Sequence, residues 1–318
     1  MASEHFHSSP SAQELAVIHQ NVISWFEKNQ RDLPWRAPTR TGWEVMVSEF
    51  MLQQTPVKRV LPVWEYWLER WSTPASLAAE DSATILRAWG RLGYPRRALR
   101  LHEAAKTIVE KHSGIVPQSY EELVALPGVG SYTAAAISVF AFGGRATVID
   151  TNIRRVHSRL ILAKALPGKS LTAAQTRLAQ SLMPESLEDS VQWNAATMEL
   201  GALICTARTP QCQACPVQEH CAWVREGKPP ADYTPKGQSW HGTDRQLRGA
   251  IMAVLRQALT PVPPEMFFDA HTVNHRPDIS EELTHLHQLN SPFEQKERCL
   301  STLVHDGLAQ RTSSGLSL

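Results

Sequence analysis

Four of the five cysteines in the chain lie within residues 205–221, in the stretch CTARTPQCQACPVQEHC. A cluster of this kind can form disulfides, hold a zinc ion or hold an iron–sulfur cluster, and each outcome fixes a different local fold. The first residues, MASEHFHSSP, show no basic segment followed by an apolar one, so we expect no secretory signal. We therefore expect an intracellular, cytoplasmic protein whose thiols stay reduced, and this expectation argues against disulfides.

The spacing of the cysteines separates the two remaining kinds of site. Structural zinc sites usually pair their ligands in two C-x2–4-C units across a longer gap, and this stretch contains one such unit. A [4Fe–4S] cluster needs one cysteine per iron, which four thiolates in one compact loop can supply. The pattern C-x6-C-x2-C-x5-C therefore favours an iron–sulfur cluster over zinc, with Cys205, Cys212, Cys215 and Cys221 as the ligands.

Length and composition set wider limits. A chain of 318 residues with 42% hydrophobic and 20% charged residues is typical of a globular protein with two or three compact units. The net charge of +1 makes no general case for nucleic acid, so any DNA-binding surface must come from local placement of arginine. No apolar run approaches the length of a membrane span, and we expect no membrane association.

The order of patterns along the chain predicts the domain organisation. After a flexible tail at 1–11, apolar spacings of three and four residues predict helices from 12 to 223. A polar stretch at 224–244 predicts a linker. Residues 245–318 predict three helices and a hairpin, which indicates a winged-helix-like module, with an unspecific helical cap as the alternative. We expect such a module to add phosphate contacts to any DNA duplex.

Two further segments carry candidate functional groups. In LVALPGVGSYTAAAISVFAFG, Gly128 and Gly130 predict a tight hairpin before a helix that begins at Ser131, whose first N–H groups suit a phosphate. A plain turn between helices is the alternative. In VIDTNIRRVHSRL, Asp150 precedes a helix, where an aspartate commonly serves as an N-cap.

Together, the cysteine spacing, the L-P-G-V-G hairpin and the aspartate twenty residues beyond it resemble the endonuclease III superfamily of DNA glycosylases. The blocks SEFMLQQT, LPWR and RLGYPRRA, in that superfamily context, resemble the MutY-type adenine DNA glycosylases over about residues 31–223. The resemblance implies an all-α helix-hairpin-helix fold. It also implies a six-helix module at about 42–150, a cluster module formed by 12–41 and 151–223, and a structural [4Fe–4S] cluster.

The resemblance also implies roles for individual residues. Glu49, whose apolar helix is expected to raise its pKa, would protonate a flipped adenine, and Asp150 would stabilise the developing sugar cation. Tyr132 and Asn152 would orient Asp150 and the reacting centre. The base pocket would be lined by Arg31, Leu33, Trp35, Arg36 and Val57. Contacts with DNA would come from Gln54, Thr55, Leu92, Tyr94, Gly128 and Gly130.

One position divides the chemistry within the superfamily, and two others depart from the adenine glycosylase pattern. Tyr132 stands where strand-cutting relatives carry a lysine, and a phenol cannot form a Schiff base, so we expect a monofunctional enzyme. Ala195 stands where the family often has Gln or Glu. Residues 245–318 are too few for the Nudix-like domain of longer members.

We therefore expect a monomeric DNA-repair hydrolase, nucleoid-associated in the cytoplasm, that removes adenine paired with 8-oxoguanine or guanine in double-stranded DNA. A thymine-mismatch glycosylase is the enzymatic alternative, and a non-catalytic cluster-bearing DNA-binding module is the other.

Overall fold

A computed structural model describes residues 10–234, 237 and 239–318 of the chain. Residues 1–9 of the predicted tail, and 235, 236 and 238 of the predicted linker, lie outside the described residues. Within the described part of the chain, no helix has the length and apolarity that crossing a membrane requires.

Helices account for almost all regular structure up to residue 225, and the predicted all-α fold is confirmed. They begin where side chains satisfy the first backbone N–H groups; Ser11 and Glu14, for example, form a reciprocal capping box at the first helix. The helices are α1 (Ala12–Asn29), α2 (Gly42–Leu52), α3 (Val57–Arg70), α4 (Pro74–Ala78), α5 (Ser82–Trp89), α6 (Arg96–Lys111), α7 (Tyr120–Val124), α8 (Ser131–Phe142), α9 (Thr151–Leu160), α10 (Ala173–Ser181), α11 (Leu187–Leu203) and α12 (Ala222–Arg225).

The chain divides into two compact units, and the first comprises Met1–Met46 and Val116–Pro235. Its main core forms where α1 and α9 pack against α11. Val22, Val156 and Leu200 are buried at this contact, and Cys205, Cys215 and Cys221 pack against the same cluster. A smaller cluster joins α8 to α9, with Tyr132 at its margin. The cysteine loop and helix α9, which Asp150 caps, thus share one packed core.

The second unit comprises Val47–Ile115 and Lys236–Leu318. Its first part is held by a group of tryptophans: the Trp67 ring lies 4.9 Å from that of Trp71 and 5.3 Å from that of Trp89, both edge to face. Such pairs add about 0.5–1.5 kcal/mol each beyond the burial of their surface. This packing fixes α3 against α5, and with them the loop that follows α5.

The C-terminal residues form α13 (Asp244–Gln257), α14 (Ser280–Gln288), α15 (Phe293–His305), β1 (Gln310–Thr312) and β2 (Gly315–Ser317). The two strands pair as an antiparallel hairpin. Val262 forms an isolated antiparallel bridge with Leu316 of β2, through reciprocal backbone hydrogen bonds of 2.7 and 2.8 Å. The predicted order of three helices and a hairpin is confirmed, and Cys299 is a buried core residue. The predicted boundaries between core, linker and module stay a prediction.

Candidate functional site

Asp150 lies at the N-terminus of α9, as its sequence position predicts. One carboxylate oxygen accepts from the Ile153 N–H at 2.6 Å, and the other accepts from Asn152 Nδ2 at 2.8 Å. Burial raises the pKa of Asp150, and these two donors oppose that rise. The carboxylate is therefore fixed in orientation but incompletely solvated, so a positive charge that develops beside it would be strongly stabilised.

Asn152 is itself held by groups from α9 and α11. Its Oδ1 accepts from Arg155 Nη2 at 2.8 Å, and the same guanidinium donates to the Gly201 carbonyl at 2.6 Å and to the Cys205 carbonyl at 2.7 Å. Gly201 allows this close approach, because a Cβ added there would lie 2.7 Å from the Cβ of Asn152. Arg155 thus links the start of the cysteine loop to the side chain that orients Asp150.

The predicted hairpin before α8 is exposed on the first unit. Gly128 has φ +76°, a left-handed conformation that favours glycine, while the buried Val129 anchors the turn through its N–H to the Leu126 carbonyl at 3.1 Å. A Cβ at Gly130 would meet no protein atom within 4 Å. The space in front of Gly130 and the first turn of α8 is therefore open to an external group such as a phosphate.

Two arginines of the predicted base pocket converge on a carboxylate that sequence reasoning missed. Glu199, 0% exposed in α11, accepts from the Arg31 side chain at 2.7 and 2.8 Å and from Arg36 Nη2 at 2.9 Å. These donors, together with the Arg31 backbone N–H, lower the pKa of Glu199 to about 2 against the opposing effect of burial. Leu33 and Trp35, which lie between the arginines in the sequence, are buried.

A signal for Glu199 was present in the sequence. It lies one turn from Ala196 and next to Leu200 on a helix whose buried positions recur every three or four residues. A carboxylate among buried positions needs charged partners, because an unpaired buried charge is very costly. The sequence does not indicate which residues are those partners, because Arg31 and Arg36 lie about 165 residues earlier in the chain.

In the second unit, Glu49 is 7% exposed on α2, between buried Val47 and Phe50. The end of this helix is held by the buried Arg97 of α6, which donates to the carbonyls of Phe50 and Met51 at 3.0 Å each and to that of Gln53. A guanidinium at this point satisfies carbonyls that have no partner within the helix. Arg97 thereby fixes the segment that follows Glu49.

Arg97 also connects the two segments predicted to contact DNA. Its Nη2 donates to Thr55 Oγ1 at 2.9 Å and to the Gly93 carbonyl at 3.0 Å. Its guanidinium lies 5.6 Å from the centre of the Tyr94 ring. Burial lowers the pKa of Arg97 to about 10, so the group stays charged at neutral pH. The sequence block RLGYPRRA contains Arg97 but gives no indication of these contacts.

The predicted DNA-contacting residues of this unit differ in exposure. Tyr94 is 46% exposed and Gln54 is also exposed, and both have positive φ, +48° and +54°. Leu92 is 4% exposed, and Thr55 is buried with its Oγ1 donating to the Leu92 carbonyl at 3.3 Å. Leu92 and Thr55 therefore support the loop in this conformation, while their contact with DNA stays a prediction. Val57 is half-buried at the start of α3.

The four clustered cysteines line one small cavity of the first unit together with Arg159 and Trp223. Burial and the three neighbouring cysteines raise the pKa of Cys215 to about 12, so four thiolates need a positively charged group between them. Arg159 donates to the Cys205 sulfur at 3.3 Å, as suits a thiolate ligand. This donor set fits a cluster with one cysteine per iron.

The predicted site residues fall in both units. The first contains Asp150, Asn152, Tyr132, both hairpin glycines, the pocket residues 31–36 and the cysteines; the second contains Glu49, Val57 and residues 54, 55, 92 and 94. Within the first unit the structure brings together Asp150, Asn152 and the cysteine loop. Within the second it joins the end of α2 to the loop at 90–94.

Comparison with known proteins identifies the class. The family described as HhH-GPD superfamily base excision DNA repair protein matches residues 47–180, and the iron-sulfur binding domain of endonuclease III matches residues 205–221. A solved thermostable thymine-DNA glycosylase superposes with a TM-score of 0.60 at 26% identity, over 67% of this chain and 98% of that one. An endonuclease III–DNA complex gives a TM-score of 0.59 at 22% identity and shows the shared fold. The fold and cysteine loop define a helix-hairpin-helix DNA glycosylase with an iron–sulfur site.

Curated relatives narrow the assignment. An adenine DNA glycosylase of Mycobacterium tuberculosis (strain ATCC 25618 / H37Rv) is 44% identical over 300 residues, covering 94% of this chain and 92% of that protein. Its counterpart in Mycolicibacterium smegmatis is 42% identical over 305 residues, covering 95% of each. The human adenine DNA glycosylase is 37% identical over 225 residues, covering 68% of this chain and 41% of that protein. The chain belongs to the adenine DNA glycosylase family, and the predicted resemblance and iron–sulfur cofactor are confirmed.

Proposed function

We propose that this protein binds double-stranded DNA and hydrolyses the N-glycosidic bond of adenine paired with 8-oxoguanine or guanine. Membership of the adenine DNA glycosylase family supports adenine as the base that is removed. The exposed hairpin before α8 supports the binding of DNA. The observation that carries the proposal is the geometry of Asp150, a carboxylate held by two donors in a partly desolvated position at a helix start.

Hydrolysis of this bond leaves positive charge on the sugar as the base departs. A carboxylate fixed beside that charge stabilises the transition state more than the neutral ground state, which is the condition for catalysis. Asn152 would keep Asp150 oriented during the reaction, and Arg155 would keep Asn152 in place through its 2.8 Å hydrogen bond. Tyr132 packs against the apolar cluster that contains Ile153, whose N–H holds Asp150, and Tyr132 would help to orient this carboxylate and the reacting centre.

Adenine is a poor leaving group as an anion and a better one once a ring nitrogen is protonated. Glu49 is the proposed acid: its helix fixes its position, and its side chain is almost excluded from water. Adenine presents N7 to such an acid, whereas thymine has no N7, and this difference favours adenine over thymine as the substrate. The charged pair of Arg31 and Arg36 on Glu199 would form a polar wall of the base pocket.

Tyr132 predicts that the reaction stops after base release. A lysine at this position would attack the sugar and form a Schiff base that leads to strand cleavage. A phenol cannot do so, and water is then the nucleophile that completes the reaction.

The cluster has a structural part in this proposal. Cys205, Cys212, Cys215 and Cys221 would hold it, and when bound it would supply a rigid cross-link between α11 and α12. Arg155 and Arg159, which donate to the Cys205 carbonyl at 2.7 and 3.2 Å, would then keep α9 aligned with that loop.

Base release from four duplexes tests the proposal. Each duplex carries adenine or thymine opposite guanine or 8-oxoguanine, and the products are measured as free base and as strand breaks, with and without hot alkali. We expect adenine release from both adenine mispairs and strand breaks only after alkali. Borohydride should trap little covalent product with the wild type and more with Tyr132→Lys. Release of thymine but not adenine would establish the thymine-mismatch alternative, and no release of either base would establish a non-catalytic module.

A further inference from the structure

The loop between α5 and α6, residues Gly90 to Tyr94, has an unusual backbone. Gly90, Gly93 and Tyr94 have φ of +55°, +84° and +48°. A left-handed conformation is ordinary for glycine but uncommon for tyrosine, and it persists only where neighbouring groups hold it. The exposed ring of Tyr94 is therefore presented to solvent by a backbone that other parts of the molecule must fix.

Arg97 fixes one end of this loop and Arg256 fixes the other. Arg97, in the first turn of α6, the helix that follows the loop, donates to the Gly93 carbonyl at 3.0 Å. Arg256, in the last turn of α13, donates through Nη1 to the Gly90 carbonyl. Arg87 returns the contact, donating through Nε to the Arg256 carbonyl at 3.3 Å and through Nη2 to the Ala258 carbonyl at 3.2 Å. An arginine side chain at the end of each helix, α5 and α13, thus donates to backbone carbonyls at the end of the other helix.

The environment of Arg256 is unfavourable for a charge. Burial, with a smaller contribution from the nearby Arg91, lowers the pKa of Arg256 to about 10. The side chain still carries its proton at neutral pH, and its guanidinium is used to hold a backbone carbonyl. Partial removal of this cation from water costs stability, and its donation to the Gly90 carbonyl offsets part of that cost.

Helix α13 is rigidly connected to the rest of the C-terminal residues. Leu247, Ile251 and Leu255 form its buried face, and Arg248 binds Asp306 at 2.6 Å and Thr302. A change in the packing of residues 244–318 would therefore move Arg256 with α13. The first turns of α14 and α15 carry Glu281, Glu282 and Glu294, and these carboxylates disfavour phosphate contacts at the starts of the two helices.

We propose that Arg256 is a positioning residue through which the C-terminal residues hold the loop from Gly90 to Tyr94 for its contact with a mispaired duplex. This inference rests on the proposed function and on the predicted contact of Tyr94 with DNA. Arg256 contacts no substrate in this proposal. It restricts the loop to one conformation before DNA binds, so that the ordering cost is not incurred on binding.

The test compares Arg256→Met with Arg248→Met, a matched arginine on the same helix whose contacts stay among the C-terminal residues. The measured quantity is the ratio of affinities for a duplex with adenine opposite 8-oxoguanine and one with adenine opposite thymine. Denaturation curves and iron content are recorded for every variant. We expect Arg256→Met to reduce the ratio about tenfold, a usual scale for coupling between contacting groups, while Arg248→Met leaves the ratio unchanged. If Arg256→Met fails to fold, Arg256→Gln replaces it.

A double-mutant cycle with Tyr94→Ala identifies the route of the effect. If Arg256 acts through the loop, Arg256→Met should change the ratio in the wild type and not in the Tyr94→Ala background. A full effect of Arg256→Met in both backgrounds, or an equal effect of Arg248→Met, would overturn the inference. If Tyr94→Ala leaves the ratio unchanged, the predicted DNA contact of the loop is wrong and the inference fails with it, while the proposed adenine release is still tested separately by the release of free base. If Tyr94→Ala lowers the ratio while Arg256→Met does not, the inference alone is overturned.

Discussion

Replacing Glu199 with glutamine removes the carboxylate that holds Arg31 and Arg36. The folded chain lowers the pKa of Glu199 from 4.5 to about 2, and each unit of difference from the unfolded chain corresponds to about 1.4 kcal/mol. Above pH 4.5 the ionised group therefore contributes about 3 kcal/mol to the free energy of unfolding. Glutamine can accept hydrogen bonds but carries no charge, so we expect Glu199→Gln to lose most of this contribution at pH 7.

The pH dependence has a definite sign. Because the folded pKa lies below the unfolded one, the stabilisation is fully present above pH 4.5 and is lost as the pH falls towards 2. The difference in free energy of unfolding between wild type and Glu199→Gln should therefore narrow by about 1.4 kcal/mol between pH 7 and pH 3.5. Urea denaturation followed by tryptophan fluorescence measures both stabilities, and Glu188→Gln, an exposed position on the same helix, is the control.

Two results would refute this reasoning. One is a Glu199→Gln variant within about 0.5 kcal/mol of the wild type at pH 7, the range of ordinary surface substitutions. The other is a stability difference that does not change with pH.

Three further outcomes are expected. Burial raises the pKa of Asp150, so its negative charge lowers the stability of the folded protein above pH 3.8. Asp150→Asn should therefore unfold at a higher temperature than the wild type at pH 7 while losing base release. An equal or lower melting temperature would contradict this expectation. Gly201→Ala places a Cβ 2.7 Å from that of Asn152, so it should lower the free energy of unfolding by about 1–3 kcal/mol and slow base release. Gly249→Ala is the control and should have neither effect, because its added Cβ would meet its nearest atom at 4.0 Å. Cys212→Ser should lower iron content, solubility and DNA affinity more than the single-turnover rate, and full iron with a slow chemical step would contradict the structural role.

Features set by neighbouring residues were predictable from the sequence. The hairpin at Gly128, the start of α8 at Ser131 and the position of Asp150 at the start of α9 each depend on local backbone chemistry. The order of three helices and a hairpin after residue 244 follows from apolar spacing and from the turn at Gly307, which has φ +70°.

Features set by distant contacts were not predictable in the same way. Glu199 and Arg31 are separated by 168 residues, and Arg256 and Gly90 by 166, so no pattern in either segment indicates its partner. Leu92 shows the same limit: the sequence block predicts a DNA contact, which stays a prediction, but it gives no indication that the side chain is only 4% exposed. Exposure depends on packing with the whole unit, which a short block of sequence does not contain.

In the proposed reaction, Glu49 supplies the proton that lets adenine leave. The most direct test is the single-turnover rate of adenine release by Glu49→Gln from a duplex with adenine opposite 8-oxoguanine, with affinity for the same duplex measured in parallel. Glu65→Gln, an exposed position on α3, is the control. We predict a rate at least about 10²-fold below the wild type with binding preserved, the usual scale for general acid catalysis. A Glu49→Gln enzyme that releases adenine at close to the wild-type rate would contradict the account.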